Sequence, residues 1–258
     1  MKQSIKSLIL FSFSLLISVS LWAQEDAREI FTRATDQLLT KNMELAMEMD
    51  VKDKKGRVKE KGYEILMASF GDVDKTKMTW QKPVQAKGTT VIFTEHPGEI
   101  GLIEVYTPSN GKTRKLKASP DNKDMVGSEA MFTSITAQDP DELAFMFLPP
   151  QEVEGKSCYT VVVKDKEFKD QARGELQIEM DTYRIVQISV YDMYGKQTGF
   201  VKLSDFQAID GPGKNIYPMH IIFEDLKGQK TTDMRVLKIA SRTDLSEEDF
   251  KLPVEQDM

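Results

Sequence analysis

From Asn42 onward, apolar and polar residues alternate: Met43, Leu45, Met47, Met49 and Val51 are separated by Glu44, Ala46, Glu48, Asp50 and Lys52. Side chains of an extended chain project to opposite faces in turn, so this run predicts a strand with one apolar and one wet face. Asp53-Lys-Lys-Gly56 carries turn residues, and residues 59–68 predict the returning strand. The same logic predicts strands over residues 75–81, 89–95, 102–107 and 112–118, then over 158–164, 174–181, 185–192, 199–206, 217–225 and 230–239. Short connections such as 181–184, 194–196 and 226–228 suit antiparallel neighbours and leave no room for helical crossovers.

Two stretches depart from that period. Residues 25–41 predict an amphipathic helix, with Ala27, Ile30, Phe31, Ala34 and Leu38 on one stripe, an acidic start at Glu25 and Asp26, and Lys41 at the end. Residues 121–151 interrupt the strands. Asp139 as N-cap and Pro140 at the first helical position predict a short apolar helix carrying Leu143, Phe145, Met146, Phe147 and Leu148, stopped by Pro149 and Pro150. It would either plug one end of the sheet as core or form a lid over it. Roughly eleven or twelve one-sided strands are too many for two short helices to cover if the sheet is flat. Curling solves this. The expected fold is mainly β with an α lid: an unclosed antiparallel β-barrel covered by the N-terminal helix and short central helices.

The first residues change the picture of where the chain works. Lys2 and Lys6 precede an apolar run from Leu8 to Val19 that ends at Ser20-Leu21-Trp22-Ala23. This is the layout of a secretory signal peptide, so residues 1–23 are expected to be cleaved near Ala23 and 24–258 to form one exported domain. No Cys stands at that junction to carry a lipid. The expected location is the periplasm. Without Lys2 and Lys6, the 35 basic residues fall to 33 against 41 acidic ones, a balance of −8. Nucleic acid is therefore not an expected partner, since phosphate neutralisation needs a basic patch.

Candidate chemistry is sparse. Cys158 is the one cysteine and leads into Tyr159-Thr-Val-Val-Val163, as a small buried hydrophobe would. His96 and His220 stand in no catalytic motif, and no nucleophile elbow, phosphate loop or paired-cysteine site occurs. No enzyme activity, metal or cofactor is expected. Met43, Met47, Met49, Met67, Met78, Met180, Met219 and Met234 all fall in predicted strands. Methionine fills gaps in ordinary cores, and its unbranched thioether also lines surfaces that adapt to flexible ligands.

Four segments carry a family resemblance. Lys82-Pro83-Val84-Gln85-Ala86-Lys87-Gly88-Thr89 resembles a P-x-x-x-K-G-T stretch before a strand, and Val105-Tyr106-Thr107-Pro108 with Arg114-Lys115-Leu116 resembles the strand pair after it. Met125-Val126-Gly127-Ser128-Glu129-Ala130-Met131-Phe132 is similar to an M-G-S-D-F element, and Glu152-Val153-Glu154-Gly155-Lys156-Ser157-Cys158-Tyr159 to an E-x-I-x-G-x-x-C-Y entry. In this order they resemble the outer-membrane lipoprotein-sorting protein family, the LolA-like periplasmic carriers.

The resemblance implies an apolar cavity for acyl chains and a carrier that moves lipoproteins toward the outer membrane, as a monomer, between an inner-membrane transporter and an outer-membrane acceptor. A carrier of another lipid or hydrophobe for an envelope transporter, or an envelope-stress sensor module of the same fold, are alternatives. The candidate cavity residues are Leu45, Met47, Met49, Ile65, Met67, Trp80 and Phe93 from the sheet, with Phe145, Met146 and Phe147 from the lid.

Overall fold

The computed structural model describes residues 26–38, 41–96, 98–118, 140–166, 173–210 and 215–253. The leader expected over residues 1–23, the Asp139 cap and the Met125–Phe132 stretch lie outside them. The described residues form one helix of regular length, α1 (Ala27–Asp36), and thirteen strands. In chain order the first six are β1 (Met43–Lys52), β2 (Val58–Phe70), β3 (Val73–Lys82), β4 (Thr90–Glu95), β5 (Leu102–Thr107) and β6 (Lys112–Lys117). The other seven are β7 (Leu143–Val153), β8 (Lys156–Asp165), β9 (Arg173–Glu179), β10 (Ile185–Tyr191), β11 (Gln197–Ala208), β12 (Ile216–Asp225) and β13 (Lys230–Ser241).

All thirteen strands join a single sheet in the order β6-β5-β4-β3-β2-β1-β13-β12-β11-β10-β9-β8-β7. Every pairing is antiparallel. Each half is a meander of sequence neighbours, and the seam between β1 and β13 unites them, with Met43 opposite Ser241 and Lys52 opposite Thr231. The sheet is not closed: β6 and β7 are its two edges. This is the unclosed barrel expected from the sequence.

The edges are protected by their composition. β6 reads Lys-Thr-Arg-Lys-Leu-Lys, and β7 contains Pro149 and Pro150 at a register shift between Leu148 and Gln151. Charge and proline both discourage pairing with another chain. Asp53 turns β1 into β2: its Oδ1 accepts from the amides of Lys55 and Arg57, and Gly56 takes a φ of 76°. Gly88, at a φ of 81°, returns the chain to β3, where its amide donates to the Trp80 carbonyl. A Cβ on Gly88 would approach Pro108 Cγ at 3.2 Å. Two of the stretches that carried the family resemblance therefore meet in space.

One sequence expectation is corrected. Leu143–Leu148 is not a helix but the inner part of edge strand β7, paired residue for residue with Asp165 through Thr160 of β8. Only Pro140–Glu142 makes a short 3₁₀ turn. A brief apolar run fits either period, and here tertiary pairing decides for the strand. Helix α1 is also shorter than expected. Asp26 caps it, accepting from the Glu29 amide at 2.7 Å, but beyond Asp36 the chain pairs with the sheet: Ile216 donates to the Gln37 carbonyl at 2.8 Å, and Leu38 bridges Ile216.

Register places the apolar core on one face, the inner face. Leu45, Met47 and Met49 of β1 align with Ile239, Val236 and Met234 of β13 and with Ile65, Tyr63 and Lys61 of β2. Farther along lie Val201, Ile188, Leu176 and Val161, all fully buried. Helix α1 covers this end. Its Phe31 ring lies 5.1 Å from Phe145 of β7, Arg28 pairs with Asp141, and the Arg33 guanidinium sits 3.6 Å over the Tyr183 ring.

The opposite, outer face of β2–β4 has its own cover. Phe250 packs edge-on against Phe70 at 5.5 Å, and Lys77 Nζ donates to the Asp249 carbonyl at 2.8 Å. Burial holds the Lys77 ammonium below the ordinary lysine range. Ser246 and Asp249 form a reciprocal capping box that fixes this C-terminal 3₁₀ turn.

Candidate functional site

The inner face gathers most of the residues expected to line a cavity. Leu45, Met47, Met49 and Ile65 are buried in one apolar cluster, and Met67, Trp80, Phe145 and Phe147 pack against it. The strand period explains this grouping: odd-numbered residues of β1 and β2 and even-numbered residues of β3 face inward together. Phe93 also faces inward, opposite Thr76 in register and half-buried, but lies beyond the cluster toward the β6 edge. Met146 does not join them. It stands opposite Val162, on the outer face, and is 53% exposed. In the strand, Phe145 and Phe147 share the inner side and Met146 between them is sent to the other.

Cover over this face is uneven. In β8–β11 the aliphatic side chains of Val161, Leu176, Ile178, Ile188 and Val201 are fully buried, with Phe145, Phe147 and Tyr159 half-buried at the β7 edge. Across β2–β4, Met67, Met78, Trp80 and Phe93 are only half-buried. Tyr63 and Trp80 form an edge-on ring pair at 5.0 Å and mark the transition between the two regions. Sequence reasoning named neither Met78 as a cavity residue nor Tyr63. Both were readable from the register, Met78 opposite Ile65 and Tyr63 opposite Met47, once the strands were paired. Two polar groups enter this apolar face. Tyr217 is buried, which pushes its phenol up to about 12. Thr232 is fully buried, and its hydroxyl has no hydrogen-bond partner among the described residues.

Elsewhere the structure brings polar groups together. His220 lies between Ser204 and Asp233, with Nδ1 3.5 Å from the serine Oγ and Nε2 2.9 Å from the carboxylate. A serine and its base work within about 2.6–3.2 Å and need oxyanion donors beside them. Here Asp233 also accepts from Arg235 at 3.4 Å, and the three residues form a polar ladder across β11, β12 and β13. Cys158 is fully buried on the outer face, where burial raises its thiol above the ordinary range. No cluster of His, Cys, Asp or Glu among the described residues is arranged to hold a metal ion. No helix among them is long and apolar enough to cross a membrane.

With this geometry in hand, the comparisons with known proteins are informative about the fold. A family model described as that of an uncharacterized protein matches residues 72–253. No curated protein matches the sequence. A solved domain from Vibrio parahaemolyticus, assigned to outer membrane lipoprotein sorting, superposes with a TM-score of 0.71 at 17% identity, covering 89% of this chain and 99% of that one. A DUF1329 family protein from Desulfovibrio piger gives 0.71 at 18% identity, covering 87% and 95%. A LolA superfamily protein from Nitrosomonas europaea gives 0.60 at 14% identity, covering 88% and 98%. At such identities the likeness is one of architecture. It extends over nearly the whole of each relative.

Proposed function

The chain belongs to the family matched over residues 72–253, and from that premise we propose that it is an exported carrier that shelters lipid acyl chains against the inner face of its sheet. Lipoproteins moving toward the outer membrane are the cargo favoured by the fold, because relatives with the same architecture include a domain assigned to lipoprotein sorting and a LolA superfamily protein. The observation that carries the proposal is the uneven cover of the inner face. Met67, Met78, Trp80 and Phe93 form a half-buried apolar strip continuous with a fully buried core.

Energetics supports this use. Each buried methylene contributes about 0.8 kcal/mol, so a few carbons laid along the strip give useful affinity. Methionine and tryptophan supply large adaptable contact area, and a chain without fixed shape needs surfaces that adjust to it. The work assigned to the protein is binding and release, with the envelope outside the inner membrane as its compartment and a donor and an acceptor membrane protein as its partners.

Native mass spectrometry of the gently purified protein tests the reading. A bound diacylated or triacylated polypeptide supports the lipoprotein cargo. A free phospholipid or fatty acid keeps the binding site and replaces the cargo. Mass equal to the bare polypeptide, together with failure to take up a fluorescent fatty acid, overturns the proposal. Met47→Glu should abolish uptake, with circular dichroism recorded in parallel because Met47 is itself buried.

A further inference from the structure

The inner face occupies one side of the sheet, and a different chemistry is concentrated on the other. Across β8–β12 the outer face holds a groove of about 440 Å³, within the ~300–1,000 Å³ usual for small-molecule sites. Register builds it from neighbouring cross-strand rows. Glu175, Ser189, Phe200 and Glu224 stand side by side on β9, β10, β11 and β12. Gln177 and Gln187 form the next row, and Tyr191 with Gln197 the row beyond Glu175. Gln151 approaches from β7.

Part of this wall is already fixed. Arg173 donates to Glu175 at 2.8 Å and places its guanidinium 4.6 Å over the Tyr191 ring. Burial and the nearby Glu175 carboxylate raise the Tyr191 phenol above its ordinary range. The Arg173 contacts hold the phenol ring and the carboxylate in place before anything binds, which lowers the ordering cost of recognition. Another part is unfinished. Gln177 lines the groove and is 2% exposed, yet its carboxamide oxygen has no hydrogen-bond partner among the described residues. The hydroxyl of Thr160, directly opposite Gln177 and fully buried, is in the same condition. Buried polar atoms are nearly always paired, so two orphans side by side under a polar groove mark a place where a partner is missing.

The lining chemistry selects that partner. The charges in its lining are the carboxylates of Glu175 and Glu224, which disfavour an anionic ligand. An acyl chain would strand the carboxamides without water. Carboxamides and hydroxyls both donate and accept, and sugar hydroxyls do the same. The carboxylate of Glu224 accepts from neighbouring hydroxyls, while Phe200 and Tyr191 offer apolar ring surface to the C–H face of a pyranose. We propose that this outer groove is a binding site for an uncharged saccharide of one or two rings. It stands on residues separate from the inner face and does not depend on the carrier reading.

Saturation-transfer difference NMR on the full chain tests this, using glucose, N-acetylglucosamine and their β-linked disaccharides as probes at millimolar concentration. Transfer to sugar ring protons is expected for at least one of them. Gln177→Leu should weaken it by about tenfold or more, as loss of a buried hydrogen-bonding contact to substrate does. Because that change removes an unpaired buried oxygen, the variant should keep its fold. Gln197→Ala at the half-exposed rim, opposite Tyr191 in register, should weaken the signal by a smaller factor and decides the matter should Gln177→Leu fail to fold. No transfer from any of the four probes overturns the proposal, as does transfer unchanged by the substitutions.

Discussion

The two ends of the inner face are built from the same strand period, yet they differ in what completes them. From β7 to β11 the face holds a fully buried aliphatic row beside α1, whose Phe31 meets Phe145 and whose Arg33, with the following Gln37, holds the β9–β10 turn at Tyr183. From β2 to β4 Met67, Met78, Trp80 and Phe93 remain half-buried, although Phe250 covers the outer face there at Phe70. The first region spends its apolar surface on stability, and the second keeps some in reserve. Substitutions of similar size should therefore have opposite readouts in the two regions.

The largest expected effect is at the helix contact. Phe31→Ala removes a fully buried ring and should lower stability by about 3–5 kcal/mol, measured as a reduced urea midpoint. Leu176→Ala, in the packed region, should cost about 2–5 kcal/mol by the same measurement. Trp80→Ala should cost less, under about 2 kcal/mol, because the side chain is half-buried, while weakening fatty-acid probe binding by about tenfold or more. If Trp80→Ala and Leu176→Ala prove equally destabilising and binding is unchanged, the distinction between the regions fails.

Smaller effects sharpen the comparison along the central seam. Glu44 of β1 bonds Lys238 at 2.7 Å and also pairs with Arg242, and the Lys238 bond in particular holds its carboxyl below the ordinary range. A carboxylate whose folded value is lowered stabilises the fold above its unfolded value of 4.5, and that contribution disappears as pH falls through the lower folded value. Glu44→Gln should thus cost about 1 kcal/mol or less at neutral pH, with the difference from the native chain vanishing in acid. Unfolding curves recorded against pH check it. Thr232→Val, which replaces an unpaired buried hydroxyl next to the seam, should leave stability unchanged or raise it by up to about 1 kcal/mol.

Much of this architecture was legible in the sequence because alternation is a local signal. Residues 102–107 were read with the bounds that β5 has, and the β1–β2 turn at Asp53–Gly56 carried its chemistry openly. What escaped reading was decided by partners distant in the chain. Leu143–Leu148 is apolar enough for a helix, and only β8 beside it makes it a strand. The place of Met146 followed from that misreading. The outer groove was invisible for the same reason, since Glu175, Ser189, Phe200 and Glu224 come from four strands and none is unusual in its own segment. His220 likewise gained its neighbours only when β11, β12 and β13 aligned.

The pairing of β1 with β13 sets the order of events when the chain folds. Every other pairing joins sequence neighbours and closes a short loop, except this seam, whose residues come from opposite ends of the domain. Loop closure of that span is the slowest contact to form, so two half-sheets can zip independently before they meet. Until residue 241 arrives, β1 presents Met43, Met47 and Met49 beside an unpaired backbone edge. A newly made chain therefore passes through an interval when it is itself adhesive, and it becomes safe only when β13 docks against β1.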